Sequence, residues 1–213
     1  MAINTFTLKM IAIIAMLIDH VGAVLFPQYI ELRIIGRLAF PIFAYTLVEG
    51  FIYTHDVYKY MKRLGLLALI SEVPFDLAFF GTWLEFSHQN VFFTLFFGIF
   101  MLYLIVKAPT KFRKIIYVVI LLLISDYLCM DYGSWGLFMI LIYYLYREKK
   151  VTKLLGIGII NIFCMGYIQK YAALAAIPIW FHNGKQGPKC KMFFYGFYPI
   201  HLILLYLIQS LCY

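Results

Sequence analysis

Residues 8–26 read Leu8-Lys9-Met10-Ile11-Ala12-Ile13-Ile14-Ala15-Met16-Leu17-Ile18-Asp19-His20-Val21-Gly22-Ala23-Val24-Leu25-Phe26, and the reading of this run decides the fold. A helix that crosses a bilayer needs about 20 predominantly apolar residues, and this run has that length. An aspartate and a histidine inside such a helix are costly and mark a functional position. Lys9 precedes His20 by eleven residues, which is about three helical turns or ~16 Å of rise. Both side chains therefore lie on one helix face, the lysine near a membrane surface and the imidazole buried below it. That placement suits an enzyme working inside a bilayer.

The rest of the chain has the same character. Of its 213 residues, 64% are hydrophobic and 13% charged, and the mean hydropathy is +0.88. A water-soluble domain does not have this profile. The apolar runs are too long, and alternate too little, for the strands of a membrane barrel. The expected class is an all-α, polytopic integral membrane helix bundle, one domain over residues 1–213. The first run has spanning length and no small-residue cleavage site, so it reads as a retained helix. The four cysteines, Cys129, Cys164, Cys190 and Cys212, have no metal-ligand spacing. They read as apolar fillers, and no metal is expected.

Apolar runs fall at 8–26, 34–53, 63–81, 91–106, 115–130, 134–146, 152–168, 171–181 and 193–211, implying about nine crossings. Basic residues test that count. Lys59, Lys62 and Arg63 separate runs two and three, and Lys107, Lys111, Arg113 and Lys114 separate runs four and five. Arg147, Lys149, Lys150 and Lys153 separate runs six and seven, and Lys185, Lys189 and Lys191 runs eight and nine. With Lys9, these are all but three of the 18 Lys and Arg residues. They occupy alternate loops, as the positive-inside rule requires of cytoplasmic segments. The amino terminus is thus expected in the cytoplasm, in a multi-pass protein of the inner (cytoplasmic) membrane. The net charge of +8 follows from this topology; the bilayer, not nucleic acid, is the expected partner.

With that orientation the intramembrane polar residues share a depth towards the outer side. Asp19 and His20 lie beyond the middle of run one, Arg37 opens run two, and Glu72 and Asp76 lie one turn apart in run three around Pro74. Asn90 and Thr94 begin run four, Asp126 ends run five, and His201 lies midway along run nine. The expectation is one cavity opening outward. Each residue has an alternative role: Asp76 and Asp126 as solvated helix ends, Arg37 snorkelling or paired with Glu72 or Asp76, Asn90 as an N-cap, His201 as interhelical glue. Glu49 lies nearer the cytoplasmic side and receives no role.

Six motifs in order resemble the TraX family. They are Leu8-Lys9-Met10-Ile11-Ala12 with Met16-Leu17-Ile18-Asp19-His20-Val21-Gly22, then Gly36-Arg37-Leu38-Ala39-Phe40-Pro41-Ile42-Phe43 with Glu49-Gly50. Glu72-Val73-Pro74-Phe75-Asp76, Asn90-Val91-Phe92-Phe93-Thr94-Leu95 with Gly98, and Phe194-Tyr195-Gly196-Phe197-Tyr198-Pro199-Ile200-His201-Leu202 follow. The resemblance implies a membrane N-acetyltransferase acting on the amino terminus of conjugative pilin. Lys9-x10-His20 is also similar to the basic-x10-His pattern of type-3 transmembrane acyltransferases. In those larger proteins the histidine is catalytic, the basic residue sits near the acyl donor, and surface glycans are the acceptors.

The expected reaction moves an acetyl group from cytoplasmic acetyl-CoA, as co-substrate, to an extracytoplasmic pilin or glycan. Lys9, Lys59, Lys62 or Arg63 would hold the CoA phosphates. His20 would act as general base or carry the acetyl group itself. Asp19, Glu72 or Asp76 would orient the imidazole, the latter two being better placed because neighbouring helical residues point about 100° apart. Arg37, Asn90, Thr94, Tyr198 and His201 complete the expected substrate-binding set. The competing classes are a proton-coupled transporter, against which the chain shows no internal repeat, and a non-catalytic assembly factor for surface polymers.

Overall fold

The computed structural model describes residues 2–188 and 190–212, so Lys189 of the basic loops lies outside the described residues. Among the described residues the protein is helical, with no strand and two isolated bridges. Helix α1 spans Thr5–Val24, α2 Ile30–Gly36, α3 Ala39–Tyr53, α4 Val57–Phe80 and α5 Val91–Lys107. Helix α6 spans Lys111–Tyr127, α7 Gly133–Leu145 and α8 Lys150–Ile159, the last continuing into a π turn at Ile160–Cys164. A 3-10 segment, Gln169–Ala175, leads into α9, Ala176–Trp180, and α10 runs over Lys191–Cys212.

Every apolar run of the sequence contains helix, but their lengths differ. Thr5–Val24, Ile30–Tyr53 (α2 and α3 together) and Lys191–Cys212 are long and apolar enough to cross a membrane. Helix α4 is as long as the longest of these at 24 residues but carries Lys59, Lys62, Arg63, Glu72 and Asp76. The run at 171–181 is a tight 3-10 stretch with one short α-turn.

Polar residues set the helix ends. The side chains of Asn4, Asp56, Asn90 and Thr110 accept from Thr7 N, Lys59 N, Phe92 N and Arg113 N, opening α1, α4, α5 and α6, each satisfying a donor that the helix cannot. Helix α4 closes on Gly81 in the left-handed conformation, φ +69°, which glycine adopts without penalty.

The 53–55 connection and Arg63 meet the amino-terminal Thr5 and Lys9, the 184–188 loop and Lys191 at one end. The segment after α9 is stitched there to the amino terminus: Ile3, Thr5 and Phe6 donate backbone N–H bonds to Phe181, Lys185 and Gln186, and Asn183 N donates to Ile3 O. At the opposite end Gln89 exchanges backbone bonds with Cys129 and Asp131, tying the α4–α5 loop to the α6–α7 loop. One apolar cluster is built mainly from α3, α5 and α7; a second joins α1, α4 and α10. Helix α10 thus returns to lie between α1 and α4, bringing His201 to His20 across 181 positions of sequence. Helix α6 buries only Leu121 and Ser125 and leaves Phe112, Ile115, Leu123 and Tyr127 exposed, as suits a helix facing apolar surroundings.

Candidate active site

His20 meets His201, not an acid. His20 Nδ1 and His201 Nε2 are 2.7 Å apart, and His201 Nδ1 lies 2.8 Å from the carbonyl oxygen of Phe197, one turn back on α10. A carbonyl only accepts, so His201 Nδ1 carries the proton that bonds it. In the neutral ring His201 Nε2 is then an acceptor, and His20 Nδ1–H donates to it. The chain of donors therefore leaves the lone pair of His20 on Nε2. The two rings lie edge to edge and nearly coplanar, centroids 5.0 Å apart and planes 7° from parallel, while Phe79 and Tyr198 stand edge-on to His20 at 5.3 and 5.8 Å. Phe197 closes the other face of His201 at 4.8 Å.

This arrangement corrects the expected triad. Asp19, adjacent to His20, points away and accepts from Arg37 Nη2 at 2.6 Å through each oxygen and from Arg33 Nη1 at 3.0 Å. Arg37 Nε also donates to Arg33 O, at 3.3 Å, and its Nη1 reaches Gln169 Oε1 at 3.5 Å. Arg37 is therefore paired with Asp19 rather than with Glu72 or Asp76, and two guanidinium groups share one carboxylate. A side chain at Gly36 would overlap Asp19, so glycine there lets α2 approach α1. Arg33 and Gln169 were not singled out from the sequence. Arg33 lies just before the apolar run that begins at 34, and its spacing of four from Arg37 was the available signal.

Neither remaining acid orients His20. Glu72 accepts from the side-chain amide and the backbone N–H of Asn90; Asp76 accepts from Glu85 N at 2.9 Å. Asn90 is the N-cap of α5, is fully buried, and also donates to Ala68 O at 2.9 Å. Thr94 Oγ1 donates to the carbonyl of Asp131, and Asp126 accepts from Ser134 N at 2.7 Å at the start of α7. The outer-depth polar groups thus tie helix ends and loops together rather than lining a common outward cavity.

A cavity instead opens at the basic end. It holds about 440 Å³. Lys9, Arg63, Lys191, Tyr53 and His55 lie towards its mouth, beside the 184–188 loop. Ile13, Leu47 and Leu95 line the interior. The residues of its wall furthest from the mouth on α1, α5 and α10 are Met16, Val91 with Phe92, and Tyr198. Lys9 Nζ sits 5.5 Å over the Phe194 ring; among the described residues Lys9, Arg63 and Lys191 make no ion pair. Lys59 and Lys62 lie outside the wall, and Lys59 pairs with Asp56 at 3.1 Å. Lys191 and Glu49, to which no site role was given from sequence, belong to the wall. His20 does not: Tyr198 stands between the cavity and the imidazole, edge-on to Phe92 at 4.8 Å and to His20.

Fold and site together define a helical membrane protein with a histidine pair beyond the end of a basic-mouthed cavity. Residues 5–209 match the family described as TraX protein, and the chain belongs to the TraX family. It is 29% identical over 241 residues to a probable fimbrial assembly protein FimC, serogroup H1, of Dichelobacter nodosus, covering 95% of this chain and 94% of the relative. It is 26% identical over 149 residues to an uncharacterised protein of Rickettsia prowazekii (strain Madrid E), covering 68% of this chain and 56% of that protein. No solved structure matches the chain.

Proposed function

We propose that the protein is a multi-pass acyltransferase of the inner membrane that moves an acetyl group from cytoplasmic acetyl-CoA to an extracytoplasmic acceptor. The observation that carries this reading is the Phe197–His201–His20 hydrogen-bond chain, because it presents a free Nε2 lone pair beyond the apolar end of a cavity whose mouth is basic. The positive-inside rule puts that mouth in the cytoplasm, where acetyl-CoA is made. Lys9, Arg63 and Lys191, which make no ion pair among the described residues, provide cations for its phosphates, and the helix rise of about 16 Å from Lys9 to His20 is crossed by the pantetheine arm.

In the reaction, His20 Nε2 takes the proton of the acceptor amine or hydroxyl as its lone pair attacks the thioester carbonyl. The new C–N or C–O bond forms, the C–S bond breaks, and the departing CoA thiolate takes the proton back from the imidazolium. His201 holds the tautomer that makes this possible, the part an acid plays in a triad. The same lone pair is the nucleophile of a two-step route through acetyl-His20; an acid quench that leaves label on the protein distinguishes that route.

The name of the Dichelobacter relative favours a pilus as the acceptor-bearing structure, and equally a second reading in which the protein assists fimbrial assembly without catalysis. Purified protein incubated with radiolabelled acetyl-CoA and surface material separates these. Wild type is expected to release CoA and label the acceptor, and a folded His20→Ala variant to do neither. Transfer by the variant would sink the mechanism. Absence of CoA turnover in wild type, with pili lost only on deletion of the chain and not in His20→Ala, would establish the assembly reading.

A further inference from the structure

Between cavity and His20 the structure holds a septum of three side chains. Met16 lies one helical turn before His20 on α1, about 6 Å of rise. Phe92 and Tyr198 meet edge to face at 4.8 Å, and Tyr198 also stands edge-on to the imidazole at 5.8 Å. Tyr198 is 2% exposed and Met16 7%, and both belong to the α1–α4–α10 apolar cluster, against which Phe92 packs. All three line the cavity. A thioester threaded from the basic mouth reaches this apolar wall before it reaches His20.

We infer that Met16, Phe92 and Tyr198 set the size of the acyl group that can be presented to His20, selecting a short chain. This rests on the acyl-CoA reading of the cavity. The wall is closely packed, so an added methylene on the donor must displace a side chain rather than fill a void. A single methylene in an apolar pocket discriminates by roughly 10- to 200-fold. Phe92 is the member to change. It forms no aromatic pair with either histidine, and truncating it leaves the His20–His201 bond in place, whereas Tyr198 stands edge-on to both rings.

The test measures binding of S-ethyl-CoA and S-pentyl-CoA, which cannot react, to purified full-length wild type and to Phe92→Ala and Met16→Ala in lipid nanodiscs. Acetyl and butanoyl transfer are measured on the same samples. The expected result is that wild type prefers the ethyl ligand at least tenfold and that Phe92→Ala reduces this preference at least tenfold, with Met16→Ala moving the same way. If all three proteins bind both ligands with an unchanged preference, the septum inference falls while the acyl-CoA reading stands. If wild type binds neither ligand, both are overturned. Met16→Ala keeps the experiment decisive should Phe92→Ala fail to fold.

Discussion

Replacing Asp19 by Asn removes the carboxylate that is hydrogen-bonded to Arg37, and the cost can be worked from the geometry. In the native protein Asp19 accepts three side-chain hydrogen bonds from two guanidinium groups. The Asp19 side chain is 9% exposed, that of Arg37 17% and that of Arg33 29%. Arg33 is open enough to turn to water, so the charge stranded by the substitution is that of Arg37. Breaking a buried pair from one side costs about 3–5 kcal/mol, and the residual exposure of Arg37 puts the expectation at the lower end, about 3 kcal/mol. That corresponds to roughly two powers of ten in the folding equilibrium. The assay is dodecyl sulfate titration of the protein in mixed micelles, followed by tryptophan fluorescence, for wild type, Asp19→Asn, Arg37→Met and the double variant Asp19→Leu/Arg37→Met. The double variant is expected to recover at least half the loss, because apolar side chains of similar size replace a buried ion pair at little net cost. A loss below about 1 kcal/mol in Asp19→Asn, or a double variant no better than the single, would refute the argument that the pair is buried and desolvated.

Three further outcomes follow from the same contacts. His201→Phe keeps an aromatic ring beside His20 but removes the acceptor of His20 Nδ1–H; acetyl transfer is expected to fall about 100-fold or more with folding intact, read from kcat against KM for acetyl-CoA. Asn90→Ala removes the N-cap of α5 and the amide that serves Glu72 and Ala68, and is expected to cost about 2 kcal/mol in the same micelle titration. His88, in the α4–α5 loop, lies 3.5 Å from Asp131, and that hydrogen bond and charge hold its imidazole above the usual histidine value. The raised folded value means the contribution is complete below the unfolded pKa of about 6.5 and is lost as pH rises through the folded value. Wild-type melting midpoints should therefore carry a downward slope above pH 6.5 that His88→Gln lacks.

The helical class, the approximate place of the longer helices and the cap Asn90 were legible in the chain, because hydropathic runs and an N-cap act locally. That Asp19 and His20 need partners was legible as well, since polar groups inside an apolar run need a reason whatever surrounds them. The partners were not. Asp19 and His20 point about 100° apart on α1, so one turns to α2 and the other to α10, and neither neighbour is implied by sequence distance. The same limit explains why depth alone grouped Glu72, Asp76, Asn90 and Thr94 into a cavity: residues at one height on different helices need not face one another. By itself the sequence determined which segments are helical, which end of the bundle is basic and that Asp19 and His20 lie inside an apolar helix, since these depend on composition and on spacing along one chain. Only the tertiary structure decided that His201 orients His20, that two arginines hold Asp19, and that the cavity opens at the basic end. Those outcomes depend on the packing of α10 between α1 and α4, a contact across more than 180 residues that no local periodicity encodes.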